Sequence, residues 1–186
     1  MSDSIRAFVA VKVPVLPSLR CVLSPLAAMK WPVVAVSADE FHVTLKFLGD
    51  TSSDLLEAIQ QQTAQAVAEQ PPFVLRVEGV GAFPNAERPA VLWAGLKDAE
   101  PLVTLAARLE AAMEPLGFTR ESRPFHPHLT LARIKGRPPR ELFDLLRHHA
   151  ETHFGTVEIQ AVEVIRSDLS QRDGQRYSTI ASCELV

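Results

Sequence analysis

The pattern His-x-Thr-apolar occurs twice, as His-Val-Thr-Leu at residues 42–45 and as His-Leu-Thr-Leu at residues 128–131. Each copy lies in a run of alternating apolar and polar residues, which predicts a β-strand. Alternate side chains of a strand share a face, so each copy presents an imidazole beside a hydroxyl while its apolar residues enter a core. The chain must therefore fold with two similar strands, each carrying polar groups on one face.

Two such strands facing one cleft would supply two imidazoles, one to take a proton and one to give it. The two hydroxyls could hold an anion between them, which suits phosphodiester cleavage without a metal ion. The pattern does not fix which imidazole starts protonated. A lone His-x-Thr is common among ordinary surface and core histidines, whereas two copies in the same strand context favour a functional site.

The composition is that of a globular protein, with 47% hydrophobic and 22% charged residues in a chain of 186. This length suits one domain over residues 1–186, built as two lobes with one motif each. The net charge of −3 lacks the basic excess of proteins that grip long nucleic-acid duplexes. Any contact with nucleic acid should be local.

No targeting or membrane segment is predicted. The first residues lack a basic stretch, and the apolar run 7–19 is broken by Lys12, Pro14 and Pro17, so neither a signal peptide nor a membrane span fits. We expect a cytoplasmic protein. The two cysteines, Cys21 and Cys183, lack metal-type spacing and predict no structural disulfide.

The periodicity of the sequence predicts strands and helices that interleave in the order β-α-β-β-α-β-α-β-β. Pro25 predicts a break in the first helix, and residues 171–174 predict a turn. The pattern predicts an α+β fold with a pseudo-twofold pair of mostly antiparallel sheets and helices outside. Strands are predicted over 7–13, 41–48, 73–80, 90–96, 126–134, 157–167 and 177–186, and helices over 18–30, from 55 to before Pro71, 99–116 and 140–149.

Longer motifs extend the two copies to Phe41–Gly49 and Arg123–Arg133. With them, the chain resembles the two-histidine (2H) phosphoesterase superfamily, and within it the RNA 2′,3′-cyclic phosphodiesterases, also named 2′-5′ RNA ligases. The resemblance covers nearly the whole chain, and the helix containing Pro25 departs most from it. Further matching segments are Phe8–Val11, Gly81–Pro84, Val91–Trp93 and, more weakly, Ser167–Leu169 with Gly174 and Tyr177.

The resemblance implies a two-lobed α+β fold with a central cleft, and hydrolysis of a terminal 2′,3′-cyclic phosphate on RNA to a 2′-phosphomonoester. No cofactor is implied. By motif match, His42 would donate a proton to the leaving 3′-oxygen, and His128 would accept one from water. Thr44 and Thr130 would hold the non-bridging oxygens, and Arg133 would supply positive charge.

Three further residues have weaker claims to bind substrate. Lys46 shares the parity of His42 and could touch RNA, with an exposed lysine as the alternative. Phe125 and Tyr177, like Trp93, could stack a base, although aromatic residues in strands more often belong to the core. Arg133 has the wrong parity for the cleft face, so its strand must twist, bulge or end there.

Other readings of the motif are possible. His126 and His128 could form a metal pair, but no third ligand lies near them in the sequence, so we predict no metal site. The chain could be an RNA-end binding module with little turnover, or an ATP-independent 2′-5′ RNA ligase that uses the same site. We expect a monomer that binds RNA ends and no membrane.

Overall fold

The computed structural model describes residues 4–37, 40–168 and 176–186, so the turn predicted at 171–174, together with Leu169, lies outside the described residues. β-Branched and aromatic residues are frequent in the strands, as their packing on a pleated surface favours. The strands are β1 Ser4–Lys12, β2 Val33–Ala35, β3 His42–Ser52, β4 Phe73–Phe83, β5 Val91–Lys97, β6 His128–Ile134, β7 His153–Ile159, β8 Ala161–Ser167 and β9 Tyr177–Glu184; the helices are α1 Arg20–Met29, α2 Leu56–Val67, α3 Glu100–Met113 and α4 Arg140–His148.

The strands form two antiparallel sheets. The first sheet has the order β3-β1-β8-β9, and the second has the order β2-β6-β5-β4-β7. Each sheet contains one His-x-Thr strand, β3 in the first and β6 in the second, which confirms the predicted two-lobed α+β fold. The predicted single strand 157–167 is wrong, because the chain leaves the second sheet after β7 and enters the first as β8.

The helices pack around the sheets as predicted. Helix α2 contacts α3, β8 and β9, while α3 also contacts β3 and α4 contacts β4. The break predicted at Pro25 is wrong, since α1 continues through it. Pro25 is exposed, so the backbone hydrogen bond that it cannot make lies on the solvent side of the helix. Within the described residues, no helix has the length and apolar character needed to span a membrane.

Both His-x-Thr strands carry a β-bulge at the same place in the motif. Val9 pairs with Lys46 but Ala10 pairs with Thr44, which leaves Leu45 as the extra residue of β3. In β6 the same shift leaves Leu131 as the extra residue. A bulge inverts the alternation of side chains beyond it.

The inversion changes which residues face the space between the sheets. The strict alternation predicted for β3 is wrong beyond the bulge, because Lys46 is buried and Phe47 is exposed. In β6, Ala132 is buried and Arg133 is exposed. The bulge, one of the three possibilities that the sequence left for Arg133, therefore returns this arginine to the face of His128.

Candidate active site

A cleft of about 680 Å³ brings the two motifs together. It is lined by His42 and Thr44 from β3 and by His128, Thr130 and Arg133 from β6. The sequence named all five as site residues, and the fold places them around one cavity even though they belong to different sheets. Tyr177, named for base stacking, also lines this cleft.

The two imidazoles are held by the same backbone contact. Nδ1 of His42 lies 2.7 Å from the carbonyl oxygen of Glu40, and Nδ1 of His128 lies 2.7 Å from the carbonyl oxygen of His126. A carbonyl can only accept, so each Nδ1 carries the hydrogen and donates it. In the neutral ring, Nε2 is then the unprotonated nitrogen, and it is the one left to exchange a proton with a substrate.

Aromatic rings fix the orientation of both imidazoles. The His42 ring lies 4.8 Å from the Phe8 centroid and 5.0 Å from that of Tyr177, to which it is nearly perpendicular. The His128 ring meets Phe83 edge to face at 4.9 Å. Such contacts restrict ring rotation and exclude water from one side of each imidazole.

Both histidines have a pKa below the ordinary value of 6.5. Burial is the main cause for each, because removal from water disfavours the charged ring. The hydrogen bond to a backbone carbonyl works in the opposite direction and raises each pKa. The positive charge of Arg133 lowers the pKa of both rings, and for His128 the neighbouring His126 adds to this effect.

Four charged or aromatic residues of the cleft lining were not predicted from the sequence: Glu40, Phe47, Arg123 and Arg176. Phe47 is 52% exposed, and the Arg6 guanidinium carbon lies 4.9 Å from its ring centroid. An exposed aromatic ring held by an arginine is a suitable platform for a nucleobase. Alignment of the two motifs would have found Phe47, because it occupies the position of Arg133.

Three other candidates do not line the cleft. Lys46 is buried against α3, where its ammonium pairs with Glu110. Phe125 is partly buried and packs against the main core. Trp93 lies against the backbone of Gly81, where a β-carbon would come within 2.3 Å of the indole. The indole ring also lies next to the rings of Phe83 and His126.

The donor set does not favour a metal ion. The rings of His126 and His128 are 6.4 Å apart, and Nδ1 of His128 already donates to a carbonyl. No cluster of three or more His, Cys, Asp or Glu side chains suited to a metal occurs in the described part of the chain. The arrangement instead offers two imidazoles, two hydroxyls and a guanidinium to one anion.

A second, larger groove of about 1170 Å³ begins beside His126 and Trp93. Its charged lining is mostly acidic, with Glu78, Asp98, Glu100 and Glu151 against Lys97. Carboxylates repel phosphate, so the smaller cleft is the better site for a phosphate-bearing substrate. The charged lining of this smaller cleft has three arginines, Arg123, Arg133 and Arg176, and one carboxylate, that of Glu40.

Comparison with known proteins identifies the family. The model of the 2′-5′ RNA ligase superfamily matches residues 30–171, which include both His-x-Thr strands. The chain belongs to this superfamily. Among curated relatives, an RNA 2′,3′-cyclic phosphodiesterase from Aeropyrum pernix is 36% identical over 151 residues, covering 80% of this chain and 84% of that one. The protein of the same name from Archaeoglobus fulgidus is 33% identical over 169 residues, covering 90% and 93%.

Solved structures show the same fold. A protein from Thermus thermophilus, 28% identical, superposes with a TM-score of 0.78 over 97% of this chain and 98% of its own. Escherichia coli LigT in complex with 3′-AMP, 25% identical, gives a TM-score of 0.72 over 98% and 99%. The two-sheet architecture is therefore shared over the full length of these proteins.

Proposed function

We propose that the protein hydrolyses the terminal 2′,3′-cyclic phosphate of RNA to a 2′-phosphomonoester, without a metal ion. The observation that carries this proposal is the pair of imidazoles, each oriented through Nδ1 and each facing one cleft beside a threonine. The names of the relatives from Aeropyrum pernix and Archaeoglobus fulgidus support the substrate. A nucleotide, 3′-AMP, is bound in the structure of LigT.

The reaction needs a base on one side of the phosphorus atom and an acid on the other, because the attacking and leaving oxygens are roughly in line. Nε2 of His128 takes a proton from water as its oxygen bonds to phosphorus. Nε2 of His42 gives a proton to the 3′-oxygen as the bond between phosphorus and this oxygen breaks. The products are a 2′-phosphate and a free 3′-hydroxyl.

The other cleft residues stabilise charge. Thr44 and Thr130 donate hydrogen bonds to the non-bridging oxygens, and the Arg133 guanidinium neutralises the negative charge that grows on them. Phe47 stacks on the base of the terminal nucleotide, beside Tyr177. The arginines of the cleft give this end of the molecule a local positive charge although the chain carries −3 overall, which suits binding of an RNA end rather than of a long duplex.

Both histidines and both threonines come from one chain, so the proposal needs only a monomer. Residues 1–186 would act as one catalytic domain, because the two sheets share the cleft and one core cluster spans both. Cys21 and Cys183 are free thiols, which is compatible with the reducing cytoplasm in which we expect the protein to act.

ATP-independent 2′-5′ ligation is a second candidate, favoured by the name of the matching superfamily. In that reaction the 5′-hydroxyl of a second RNA would take the place of water beside His128. The 3′-oxygen would still leave with the proton of His42. One site could therefore support both outcomes, according to whether water or a hydroxyl reaches the phosphorus atom.

The decisive experiment is incubation with an oligoribonucleotide that ends in a 2′,3′-cyclic phosphate, with and without EDTA. We expect a 2′-phosphomonoester at equal rates in both samples, identified by its mobility against 2′- and 3′-phosphate standards. Binding without conversion would instead support the RNA-end binding module. Loss of activity on chelation, restored by one divalent ion, would replace the two-histidine mechanism with a metal mechanism.

A further inference from the structure

Lys46 carries a charge into the core at a position where the repeated motif does not need one. Its side chain is 3% exposed, and its counterpart in the second motif is Ala132, which is fully buried. Burial of an ammonium group is costly unless partners replace the lost water. The contacts of Lys46 therefore indicate what the charge does.

The ammonium of Lys46 joins three parts of the chain. Nζ donates to Oε2 of Glu110 on α3 at 2.5 Å and to the backbone carbonyl of Thr119 at 2.7 Å. The same oxygen of Glu110 accepts from the backbone N–H of Glu121 at 3.2 Å. The cluster thus ties β3, which carries His42, to α3 and to the segment that follows α3.

That segment, residues 118–127, leads directly into His128 and contains no helix or strand. It places Arg123 at the cleft and supplies the carbonyl of His126 that orients His128. Without a ladder of backbone hydrogen bonds, its course depends on side-chain anchors such as Lys46 and the packing of Phe118 and Phe125 on the core. Lys46 holds the first half of this segment through its hydrogen bond to the carbonyl of Thr119.

We propose that Lys46 is a positioning residue for the two-histidine site: from the strand of His42, it fixes the segment that leads to His128. This sets the separation and angle of the two imidazoles. The inference rests on the proposed function, since only a reaction with two proton transfers across one phosphate requires such a fixed pair. Displacement by about 1 Å can cost on the order of 10²-fold in rate.

The test compares Lys46→Met with Arg120→Met as a matched control. Arg120 lies in the same segment, but its ion pair with Glu114 is exposed on both sides. Turnover is measured on a nucleoside 2′,3′-cyclic monophosphate and on an oligoribonucleotide with the same end. We expect Lys46→Met to lower kcat about 10- to 100-fold on both substrates, and Lys46→Arg to recover part of the loss. Arg120→Met should keep wild-type kcat.

A loss on the oligonucleotide alone would overturn the inference, because it would mean that Lys46 contacts RNA directly. Unchanged kcat in a folded but less stable variant would also overturn it, since the role would then be stability only. If Lys46→Met does not fold, Glu110→Gln is tested instead. We expect it to lower kcat on both substrates, and the same two results would overturn the inference.

Amide hydrogen exchange needs no turnover and separates this inference from the proposed function. Faster exchange confined to residues 118–134 in Lys46→Met supports positioning, even if the wild-type protein were to hydrolyse neither substrate. Unchanged exchange there, or a rise spread over the whole chain, overturns it. Absence of wild-type turnover with localised exchange would overturn only the proposed function.

Discussion

The first His-x-Thr strand, β3, and the second, β6, share a bulge at the same place in the motif and differ in the side chains beyond it. Each orients its histidine through a carbonyl two residues earlier at 2.7 Å, and each has a register shift after its threonine. After the bulge, β3 returns Phe47 to the cleft, whereas β6 returns Arg133. The shared features hold each imidazole through Nδ1 and leave its Nε2 for the proposed proton transfers.

The differing part makes the two sides of the cleft unlike. Phe47 offers an apolar surface and Arg133 a positive charge, which matches a nucleotide with a base at one end and a phosphate at the other. A substrate that satisfies both can bind in one orientation only. Under the proposed function, this asymmetry, rather than the histidines themselves, would determine which imidazole meets the leaving oxygen.

The neighbouring strands differ in the same way. Beside Thr44 lies Ala10, whose neighbour Glu163 pairs with Lys12 at 2.8 Å. Beside Thr130 lies Trp93, whose neighbour is Gly81. A small residue and an ion pair beside β3 thus correspond to a large aromatic ring over a glycine beside β6, so the two motifs share their bulge and differ in their surroundings.

The largest expected effect follows removal of either imidazole. His42→Ala and His128→Ala should each lower kcat by roughly 10²- to 10⁴-fold, because each removes a proton-transfer group. The double variant should lose less than the product of the single losses, because both groups serve one transition state. Steady-state kinetics on a nucleoside 2′,3′-cyclic phosphate measures all three.

The two single variants also test whether the strands have different roles. The acid limb of the pH profile should vanish in His128→Ala, because it reports protonation of the base. The alkaline limb should vanish in His42→Ala. Loss of the same limb in both would contradict the assignment, and near wild-type turnover in either would rule out the two-histidine mechanism.

Arg133→Ala should have the next largest effect. Loss of one group that stabilises transition-state charge costs on the order of 10²- to 10³-fold in kcat. The bell shape should persist and move to higher pH, because the charge of Arg133 lowers the pKa of both histidines. Arg147→Ala is the control, since Arg147 pairs with Asp144 on α4, outside the cleft lining. A lost limb in Arg133→Ala would contradict a purely electrostatic role.

Phe47→Ala tests the other side of the comparison with a smaller effect. Base stacking on an aromatic ring is worth about 1–3 kcal/mol, so KM should rise roughly 5- to 150-fold. Phe47→Trp should restore binding. The matched substrate is ribose 2′,3′-cyclic phosphate, which has no base and should be hydrolysed equally by wild type and Phe47→Ala. A similar loss on both substrates would show that Phe47 supports the fold of the cleft instead.

The sequence predicted the helices, most of the strands and the two His/Thr pairs because each depends on local periodicity. It missed the short strand β2 and expected one strand over 157–167, where the fold has β7 and β8. His42 with Thr44, and His128 with Thr130, are two residues apart within one strand, so their shared face follows from the pleat alone. Their meeting in one cleft was inferred from duplication and resemblance. The fold class followed from the same alternation of strands and helices.

Residues beyond the bulges could not be placed from alternation. A bulge is set by pairing with the neighbouring strand, here β1 or β5, which are distant in sequence from their partners. Strict alternation places Lys46 on the face of His42 and Phe47 on the opposite face, whereas Lys46 lies in the core and Phe47 in the cleft. The break at Gln160, which divides the predicted strand 157–167 into β7 and β8, could not be predicted for the same reason. The change from one sheet to the other depends on tertiary packing.

The smallest expected effect is a shift of the wild-type pH profile of kcat/KM to lower pH. Productive free protein needs His128 neutral and His42 protonated, and burial lowers the pKa of both. The proton donor is lost as the pH rises through the higher apparent pKa, and the proton acceptor is lost as the pH falls through the lower one. Both limbs of kcat/KM should therefore lie below about pH 6.5. These two apparent pKa values describe the coupled pair of histidines and not either residue alone. A bound phosphate anion favours imidazolium, so the limbs of kcat should lie at higher pH than those of kcat/KM. A flat profile where chemistry limits the rate, or a kcat/KM maximum well above about pH 7, would show that the environment of β3 and β6 does not tune these histidines as their burial implies.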